Sequence, residues 1–499
     1  MATLNNAWNI ATGALKSDQA ALNLVANNVA NANTPGYTRE VANWVENSTV
    51  VLSGQTYGMG ATMTGASSQR DRVLEQTLQQ HAQQQQGTST RLNALKNIQS
   101  VFDTAATNNA STSNPSGIDV SMTQFFNALA QLESNPGDNT LRQVVLSSAG
   151  QLANSFQGAV ASLGQQSQSL DEQAGTVVSQ VNVLTQSIAA LNLQIELTSP
   201  KSDAGALEDQ RQLDLSQLSQ LIGVHLVRGD NNGLIVTTAN GATLVAGNEA
   251  FALSASPVNG VAHIYGASGD DLTSQLMNSG GQLGGLLTGR DQDIPQVESA
   301  LDALAFGVGS RINAIQAQGA DANGNPGAAF FNVTAPPANA TGVAAASFSV
   351  AIQDPAAIAA AGYSTVPSPT PPPAFLPLGP SDGSNLLNLA NVKNLACITL
   401  AAGGFLSVTT AATPTSFYSD FTTALGALVA QTDTLNSAQQ ASLTQLQNQR
   451  NALSTVDLNE EASSLSSLQR SYQAASKLFS ILDSIVSSAL NLGSQATVS

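Results

Sequence analysis

The hydrophobic positions near both ends of the chain recur at alternating intervals of three and four residues, which is the spacing of a coiled-coil helix. Near the start, the repeat consists of Leu4, Trp8, Ala11, Leu15, Leu22, Val25 and Val29. Near the end, it consists of Leu458, Leu465, Leu468, Tyr472, Ala475, Phe479, Leu482, Val486 and Ala489. Asp18 and Glu461 are polar residues on these two registers. Each end therefore predicts one helix with an apolar seam, and the partner of that seam could be the other terminus, another subunit or both.

The first helix, predicted over residues 3–33, is followed by an asparagine-rich motif. This motif reads Asn27-Asn28-Val29-Ala30-Asn31-Ala32-Asn33-Thr34-Pro35-Gly36-Tyr37-Thr38-Arg39. Pro35 supplies the fixed φ of the second residue of a turn, and Gly36 supplies the positive φ of the third. Together they predict a type II turn that ends the helix.

Between the two ends, the apolar pattern predicts further helices and one group of strands. The repeat over residues 139–198 indicates one long helix or a broken pair, and a single helix of that length would reach about 90 Å at 1.5 Å per residue. Residues 224–265 contain β-branched runs around the hairpin signal Asn240-Gly241. Residues 282–318 return to a helical repeat. A single helix over 139–198 would be a long rod, which suits an elongated subunit better than a compact enzyme.

These patterns predict an α+β fold that is mainly α and has three parts. The N- and C-terminal helices pair as a coiled coil, an elongated helical part lies between them, and a β-rich insertion lies outermost. The predicted boundaries are 1–40 with 457–499 for the terminal assembly domain, 41–319 with 414–456 for the rod-like middle domain that contains the hairpin region, and 320–413 for the outer domain. The outer domain includes the proline-rich stretch 367–373, which predicts a stiff loop.

Composition narrows the classes of partner. The 499 residues carry a formal net charge of −17 with only 16 Lys and Arg, so the cationic surface on which nucleic-acid binding relies is missing. The sequence shows no basic cluster for an anionic membrane and no run of 18 or more apolar residues for a spanning helix. The N-terminal segment lacks the apolar core of a cleaved signal peptide. We therefore expect no nucleic acid, no membrane insertion, and a protein that is cytosolic or is exported without a cleaved signal.

The reactive residues do not form a pattern that predicts catalysis, a cofactor or a metal site. His81, His225 and His263 lie far apart in sequence, and Cys397 is the only cysteine, so no intrachain disulfide can form. The glycine-rich run 280–285 lacks the following Lys-Ser/Thr of a phosphate loop, which leaves a loop before a helix as its interpretation.

Two acidic stretches also lack the pattern of a metal site or a catalytic pair. The stretch Asp321–Asn325 begins like a calcium loop, but Pro326 stands where that loop requires glycine and Asn332 stands where it requires glutamate. Glu460 and Glu461 are adjacent, and adjacent residues of a helix point about 100° apart rather than toward each other. We expect them in the first turn of the last helix, where the helix dipole favours negative charge.

The motif at residues 27–39 closely resembles the N-terminal signature of the rod, hook and hook-associated proteins of the bacterial flagellum. The stretch 456–461 (Val-Asp-Leu-Asn-Glu-Glu), followed by 469–475 (Gln-Arg-Ser-Tyr-Gln-Ala-Ala), resembles the partner signature of the same family. The middle resembles the hook-associated members more loosely, through 208–211, 281–287 with 290–291, and 313–324 with Phe330-Phe331. Gln212 and Ala317 depart from the usual pattern, and residues 332–413 match no part of it.

This resemblance implies a non-enzymatic axial subunit that leaves the cell through the flagellar type III apparatus and is needed for filament assembly and motility. It implies an extracellular ring of identical subunits at the hook–filament junction, with hook protein below, hook-associated protein 3 above, and a cytosolic export chaperone on the C-terminal helix before secretion. The expected assembly interface joins the apolar seams to the N-terminal motif. Its residues are Leu4, Trp8, Leu15, Leu22, Val25, Asn28, Val29, Asn31, Asn33, Pro35, Gly36, Tyr37, Leu458, Leu465, Leu468, Tyr472, Ala475, Phe479, Leu482 and Val486.

Two other interpretations remain open at the level of sequence. The hook protein shares the terminal motifs, although the long helical region 139–222 favours a hook-associated member. A secreted adhesin with a coiled-coil stalk would explain the composition and the β-rich insertion, but it would not explain the paired terminal motifs.

Overall fold

The computed structural model describes residues 2–52, 54–102, 117–198, 204–229, 232–258, 260–336, 341–364, 376–400, 404–406 and 408–495. The loop predicted for the proline-rich stretch 367–373 lies outside these residues.

Long α-helices dominate the described part of the chain, which confirms the prediction of a mainly α fold. The helices are α1 Ala2–Asn31, α2 Arg72–Ser100, α3 Ile118–Ser134, α4 Asn139–Thr198, α5 Ala206–Leu221, α6 Thr273–Met277, α7 Gly281–Thr288, α8 Ile294–Gln316, α9 Val343–Ser347, α10 Ser384–Ala390, α11 Pro414–Ser454 and α12 Leu458–Gln495. Residues Pro355–Ala357 and Asn391–Asn394 form 3₁₀ turns.

The strands are short and all pair in antiparallel fashion. They are β1 Glu40–Glu46, β2 Val50–Leu52, β3 Gln55–Tyr57, β4 Ala61–Ser68, β5 Val224–Arg228, β6 Leu234–Thr238, β7 Thr243–Ala246, β8 Glu249–Ala250, β9 Ser254–Val258, β10 Val261–Tyr265, β11 Phe331–Asn332, β12 Ser349–Val350, β13 Ile398–Leu400 and β14 Val408–Ala412. Strands β5, β6, β7 and β8 form one four-stranded sheet in that order, and the remaining strands form two-stranded sheets.

Two of the long internal helices, α2 and α4, begin and continue as local chemistry requires. The carboxylate of Asp71 accepts hydrogen bonds from the backbone N–H groups of Val73 and Leu74 at the start of α2, which satisfies donors that a helix leaves unpaired. Helix α4 is unbroken over 60 residues, so the single long helix, rather than the broken pair, is the observed alternative. At 1.5 Å per residue it spans about 90 Å.

The helix predicted over residues 282–318 is interrupted by a π-helical turn at Gly289–Asp293, which separates α7 from α8. Within this turn, the buried Arg290 guanidinium donates hydrogen bonds to the carboxylates of Asp171 on α4 and of Asp291, and to the carbonyl of Ala262 on β10. The inserted residue of a π turn re-aims side chains locally. A repeat of apolar positions carries no information about this polar contact, so the interruption was not predicted.

The region 320–413 contains β11–β14, but it also contains α9, α10 and both 3₁₀ turns. Its aromatic side chains join the core of the helical region. Phe330 and Phe331 lie edge-on to Phe125 of α3, and Phe348 lies edge-on to Phe156 of α4. Its described residues therefore pack directly on the helices, and the domain boundaries given above stay a prediction.

Helices α1 and α12 pack against each other, as predicted, and the rings of Trp8 and Phe479 lie 4.4 Å apart between them. The hairpin of β1 and β4 lies along α1, where the backbone N–H of Met63 donates to Ser17 Oγ. Both chain ends and the first hairpin thus form one unit, which we call the terminal module (residues 2–68 with α12).

Candidate assembly interface

The predicted seam residues are covered to different degrees by the contact between α1 and α12. Val25 and Leu482 are buried, at 7% and 8% exposure. Those that are partly buried are Leu4, Trp8, Leu15, Leu22, Leu465, Leu468, Ala475, Phe479 and Val486. Those that remain exposed are Val29, Leu458 and Tyr472. The pair therefore buries Val25 and Leu482, covers most of the other seam residues in part, and leaves Val29, Leu458 and Tyr472 exposed.

Asn28 is the centre of a hydrogen-bonded cluster that joins the two signatures. Its Oδ1 accepts from the Tyr37 hydroxyl at 2.8 Å and from the Glu40 backbone N–H at 3.0 Å, and its Nδ2 donates to the Glu40 carbonyl at 2.9 Å. The same Nδ2 donates at 3.3 Å to Oε2 of Glu461 on α12. Asn28 is 1% exposed, so these partners replace the water that its amide loses on burial.

Arg39 completes the connection between the two chain ends. Its Nε donates to Oε1 of Glu461 at 2.7 Å, its Nη1 lies 3.0 Å from Oε2 of Glu460, and its backbone N–H donates to the Ser454 carbonyl at 2.9 Å. Burial disfavours the charged guanidinium, but the hydrogen bonds to the two glutamates outweigh burial and raise the pKa of Arg39. Glu461 is 1% exposed, and removing one partner of such a buried ion pair is strongly destabilising.

The Tyr37 hydroxyl is held in its neutral form by the same cluster. Burial is the largest cause, and the carboxylates of Glu40, Asp209 and Glu461 add to it, so that the pKa of Tyr37 rises to about 12. A phenolate would place another negative charge beside these groups. Tyr37 therefore serves here as a hydrogen-bond donor.

The turn between α1 and β1 has the geometry that its sequence predicts. Gly36 has a φ of +82°, and the Tyr37 N–H donates to the Thr34 carbonyl at 3.2 Å. Asn31 donates to Asn27 Oδ1 and accepts from the Thr34 hydroxyl, whereas Asn33 and Pro35 are exposed. The turn aims Tyr37 back at α1, while Asn33 and Pro35 face solvent.

The terminal module is attached to the middle of the chain through Asp209 of α5. Its Oδ2 accepts from the Thr38 N–H at 3.0 Å, and its Oδ1 accepts from the guanidinium of Arg70. Arg70 also donates to Glu208 Oε2 at 3.1 Å. The resemblance singles out residues 208–211 but gives them no contact, because the described partners of Glu208 and Asp209 are more than a hundred positions away.

A second apolar stripe on α12, which the sequence analysis missed, lies beside the seam and is exposed. Leu478, Ile481 and Ile485 are 48%, 58% and 48% exposed, and their spacing of three and four places them on one face of the helix. Exposed apolar patches of this kind mark interaction surfaces. A second repeat beside the main seam was the signal that could have found it.

Among the residues that the structure describes, no group of three or more His, Cys, Asp or Glu is arranged to hold a metal ion. Within the same residues, the helices are too short or too polar to cross a membrane.

Three protein-family models match the chain. Residues 104–331 match the flagellar hook-associated protein FlgK helical domain. Residues 9–38 match a flagella basal body rod protein model, and residues 447–492 match the flagellar basal body rod FlgEFG protein C-terminal model. The two terminal matches contain most of α1 with its turn and most of α12, which are the segments that the Asn28 cluster joins.

Curated relatives from three organisms carry one name. The chain is 32% identical over 338 residues to flagellar hook-associated protein 1 of Salmonella typhimurium, which covers 66% of this chain and 59% of that protein. The Escherichia coli protein of the same name is 31% identical, with 66% and 60% covered. The chain thus spans about three fifths of the length of these two relatives. The Bacillus subtilis protein of that name is 25% identical, with 96% of each chain covered.

A solved structure of similar fold is described as the flagellar hook junction protein FlgK from Burkholderia pseudomallei. It superposes with a TM-score of 0.61 at 21% sequence identity, over 75% of this chain and 99% of that one. At this identity the likeness speaks for the fold, which agrees with the helical-domain model and the named relatives. Taken together, the matches show that the chain belongs to the flagellar hook-associated protein 1 family.

Proposed function

We propose that this protein is the structural subunit of a ring at the junction between flagellar hook and filament, and that filament assembly and motility require it. The relatives are named hook-associated proteins, and the similar structure is described as a hook junction protein. Membership of this family of flagellar structural proteins supports a structural role rather than an enzymatic one.

The cluster of Asn28, Tyr37, Arg39 and Glu461 is the observation that carries the proposal. It fixes the register of α1 against α12 with buried, directional hydrogen bonds, whereas an apolar seam alone tolerates sliding. A single buried polar contact specifies register in coiled coils in the same way. The chain ends are thereby presented as one rigid module.

The surface left outside this pairing supplies the contacts between subunits. Leu478, Ile481 and Ile485 form an apolar face on α12, and Trp44 and Val45 are about half exposed on β1. We infer that identical subunits pack through these faces, with hook protein on one side of the ring and hook-associated protein 3 on the other. A cytosolic export chaperone binds the C-terminal helix before secretion through the type III apparatus without a cleaved signal.

Electron microscopy of a strain that lacks the gene tests the proposed place in the flagellum. We expect hooks without filaments, and filament protein released into the medium, because the connecting ring is missing. Filaments of normal length on the mutant hooks would refute the junction role.

Truncation tests the role of the terminal module. Without residues 1–39 or 457–499, we expect a soluble, folded middle that does not restore filaments, since each deletion removes one half of the α1–α12 pair. Restored filaments with either truncated protein would contradict the proposal.

Self-assembly of the purified full-length protein separates the proposal from the alternative of a hook protein. A hook protein polymerises into tubes in vitro, whereas a junction protein does not.

A further inference from the structure

A cavity of about 290 Å³ lies where the terminal module meets the middle of the chain. Its wall includes four arginines that are scattered along the sequence: Arg70 after β4, Arg72 on α2, Arg211 on α5 and Arg228 on β5. The whole chain has only 16 Lys and Arg against 33 Asp and Glu. A quarter of its cationic side chains thus surround one small space.

The carboxylates in the wall do not balance this charge. They are Glu75 and Glu208, so the wall holds four guanidinium groups against two carboxylates. Both carboxylates are already engaged. Glu75 accepts from Arg450 and from Gln212, each at 3.1 Å, and Glu208 accepts from Arg70. The charge of Glu75 is shared with a fifth arginine, which leaves the cavity more positive still.

Arg211 and Arg228 have no carboxylate partner among the described residues. Among the described residues, the buried Arg211 donates from Nη1 to two neutral oxygens, Asn192 Oδ1 at 2.8 Å and the Asn232 carbonyl at 2.9 Å. Burial lowers the pKa of Arg211 to about 10. The neighbouring arginines act in the same direction, while Glu208 opposes them. Burial, Arg72 and Arg70 also lower the pKa of Arg228, while Glu208 opposes them. Such like-charge repulsion is relieved when an anion enters.

Two further donors of the wall are buried without an acceptor in the described part of the chain. They are Arg70 Nε and Gln79 Nε2, and the Gln79 side chain is 3% exposed. Buried donors normally have partners, because an unpaired one costs free energy. Both atoms are shielded from solvent, so the exposed guanidinium groups of Arg72 and Arg228 make the first contact.

The wall also contains one acceptor without a partner, Glu208 Oε1. An oxyanion that carries its own O–H group can donate to it while its other oxygens accept from the arginines. Phosphate near neutral pH carries such a hydroxyl, and sulfate does not. The volume of about 290 Å³ lies at the lower edge of the range of sites for drug-sized ligands, which fits a small ion.

We propose that this cavity is a binding site for a free phosphate ion. The ion lies between Arg72, Arg211 and Arg228 and donates its hydroxyl to Glu208. These residues come from α2, α5 and β5. Arg70 and the Thr38 N–H both donate to Asp209 of α5, so the bound ion stabilises the contact between the terminal module and the middle of the chain.

Calorimetric titration of the full-length protein with inorganic phosphate, at constant ionic strength, tests the proposal. We expect saturable binding of phosphate by the wild type. We expect Arg228→Gln to bind phosphate at least about ten times more weakly than the wild type, because a hydrogen bond to a charged group contributes at least about a factor of ten in affinity. Arg228 is largely exposed, so its substitution leaves the fold intact, which circular dichroism verifies. Arg470→Gln makes the same change on α12, where Arg470 is exposed and donates only to a helical carbonyl, and it should bind as the wild type does.

Sulfate is the control anion for phosphate, because sulfate and phosphate both stabilise proteins non-specifically by exclusion from the protein surface. We expect weaker binding of sulfate than of phosphate. Equal affinity for both ions would contradict the assignment of phosphate and the role of Glu208. Equal affinity of phosphate for the wild type and Arg228→Gln, or no saturation at all, would mean an adventitious ion only and would overturn the site.

Discussion

At the scale of single residues, Asn28 decides how the chain ends meet. Both polar atoms of its side chain are used, and one of its partners, Glu461, lies 433 positions away. The sequence placed Asn28 in the expected interface, but it showed Glu461 only as a polar interruption of an apolar repeat. Periodicity identifies which residues share a helix face, and it does not identify a hydrogen bond between distant segments.

Replacement of Asn28 by alanine should loosen α1 from α12. The change leaves the Tyr37 hydroxyl without its acceptor and removes a donor to Glu461, and a buried polar group left unpaired costs about 1–3 kcal/mol. Amide hydrogen exchange of α1 reports the free energy of this local opening. Asn33→Ala is the matched control, because Asn33 is exposed. Equal exchange rates in the two variants would contradict the role of Asn28.

The raised pKa of Tyr37 predicts that the contact between α1 and α12 loses stability at alkaline pH. Its pKa is 10.0 in the unfolded chain and about 12 in the folded one, so the folded state retains the proton over this range. The contribution is fully present below about pH 10 and is lost as the pH rises through about 12. We therefore expect the amide hydrogen exchange rate of α1 to rise more steeply between about pH 10 and about pH 12 in the wild type than in Tyr37→Phe. Both rates are first corrected for the pH dependence of exchange in an unfolded chain. Parallel profiles would show that Tyr37 does not titrate with opening.

At the scale of elements, the repeat of apolar residues was enough to predict α1 and α12 and their pairing, because a seam at intervals of three and four has to be covered. Three features lay beyond it. The stripe Leu478, Ile481 and Ile485 was hidden beside the stronger repeat. The π turn at Gly289–Asp293 depends on contacts of Arg290 with other elements. The cavity arginines form no cluster in sequence and meet only after folding.

The two faces of α12 should respond differently to the same kind of truncation. Leu482→Ala removes a buried side chain from the contact with α1 and should destabilise the pair by roughly 2 kcal/mol or more. Ile481→Ala alters an exposed side chain and should change stability by less than about 0.5 kcal/mol. Hydrogen exchange of α12 measures both effects. A large destabilisation by Ile481→Ala would mean that this face is covered within the subunit.

At the scale of the whole molecule, the order of elements explains how a chain whose middle is a long rod presents both its ends together. Helix α4 extends for about 90 Å, while α1, the first hairpin and α12 form one module that Asp209 and Arg70 attach to the middle. The overall charge of −17 makes copies of the chain repel one another. The proposed packing in a ring therefore has to rely on apolar faces rather than on charge attraction between copies.

We propose that subunits assemble through the terminal module, and in particular through the exposed face of α12. The most direct test is electron microscopy of flagella in a strain that lacks the gene and expresses the variant Leu478→Ser, Ile481→Ser, Ile485→Ser. An immunoblot of the medium and of isolated hooks verifies its export. We predict exported protein and hooks without filaments, because the fold is retained and the contact between subunits is lost. Filaments of wild-type number and length would contradict the account.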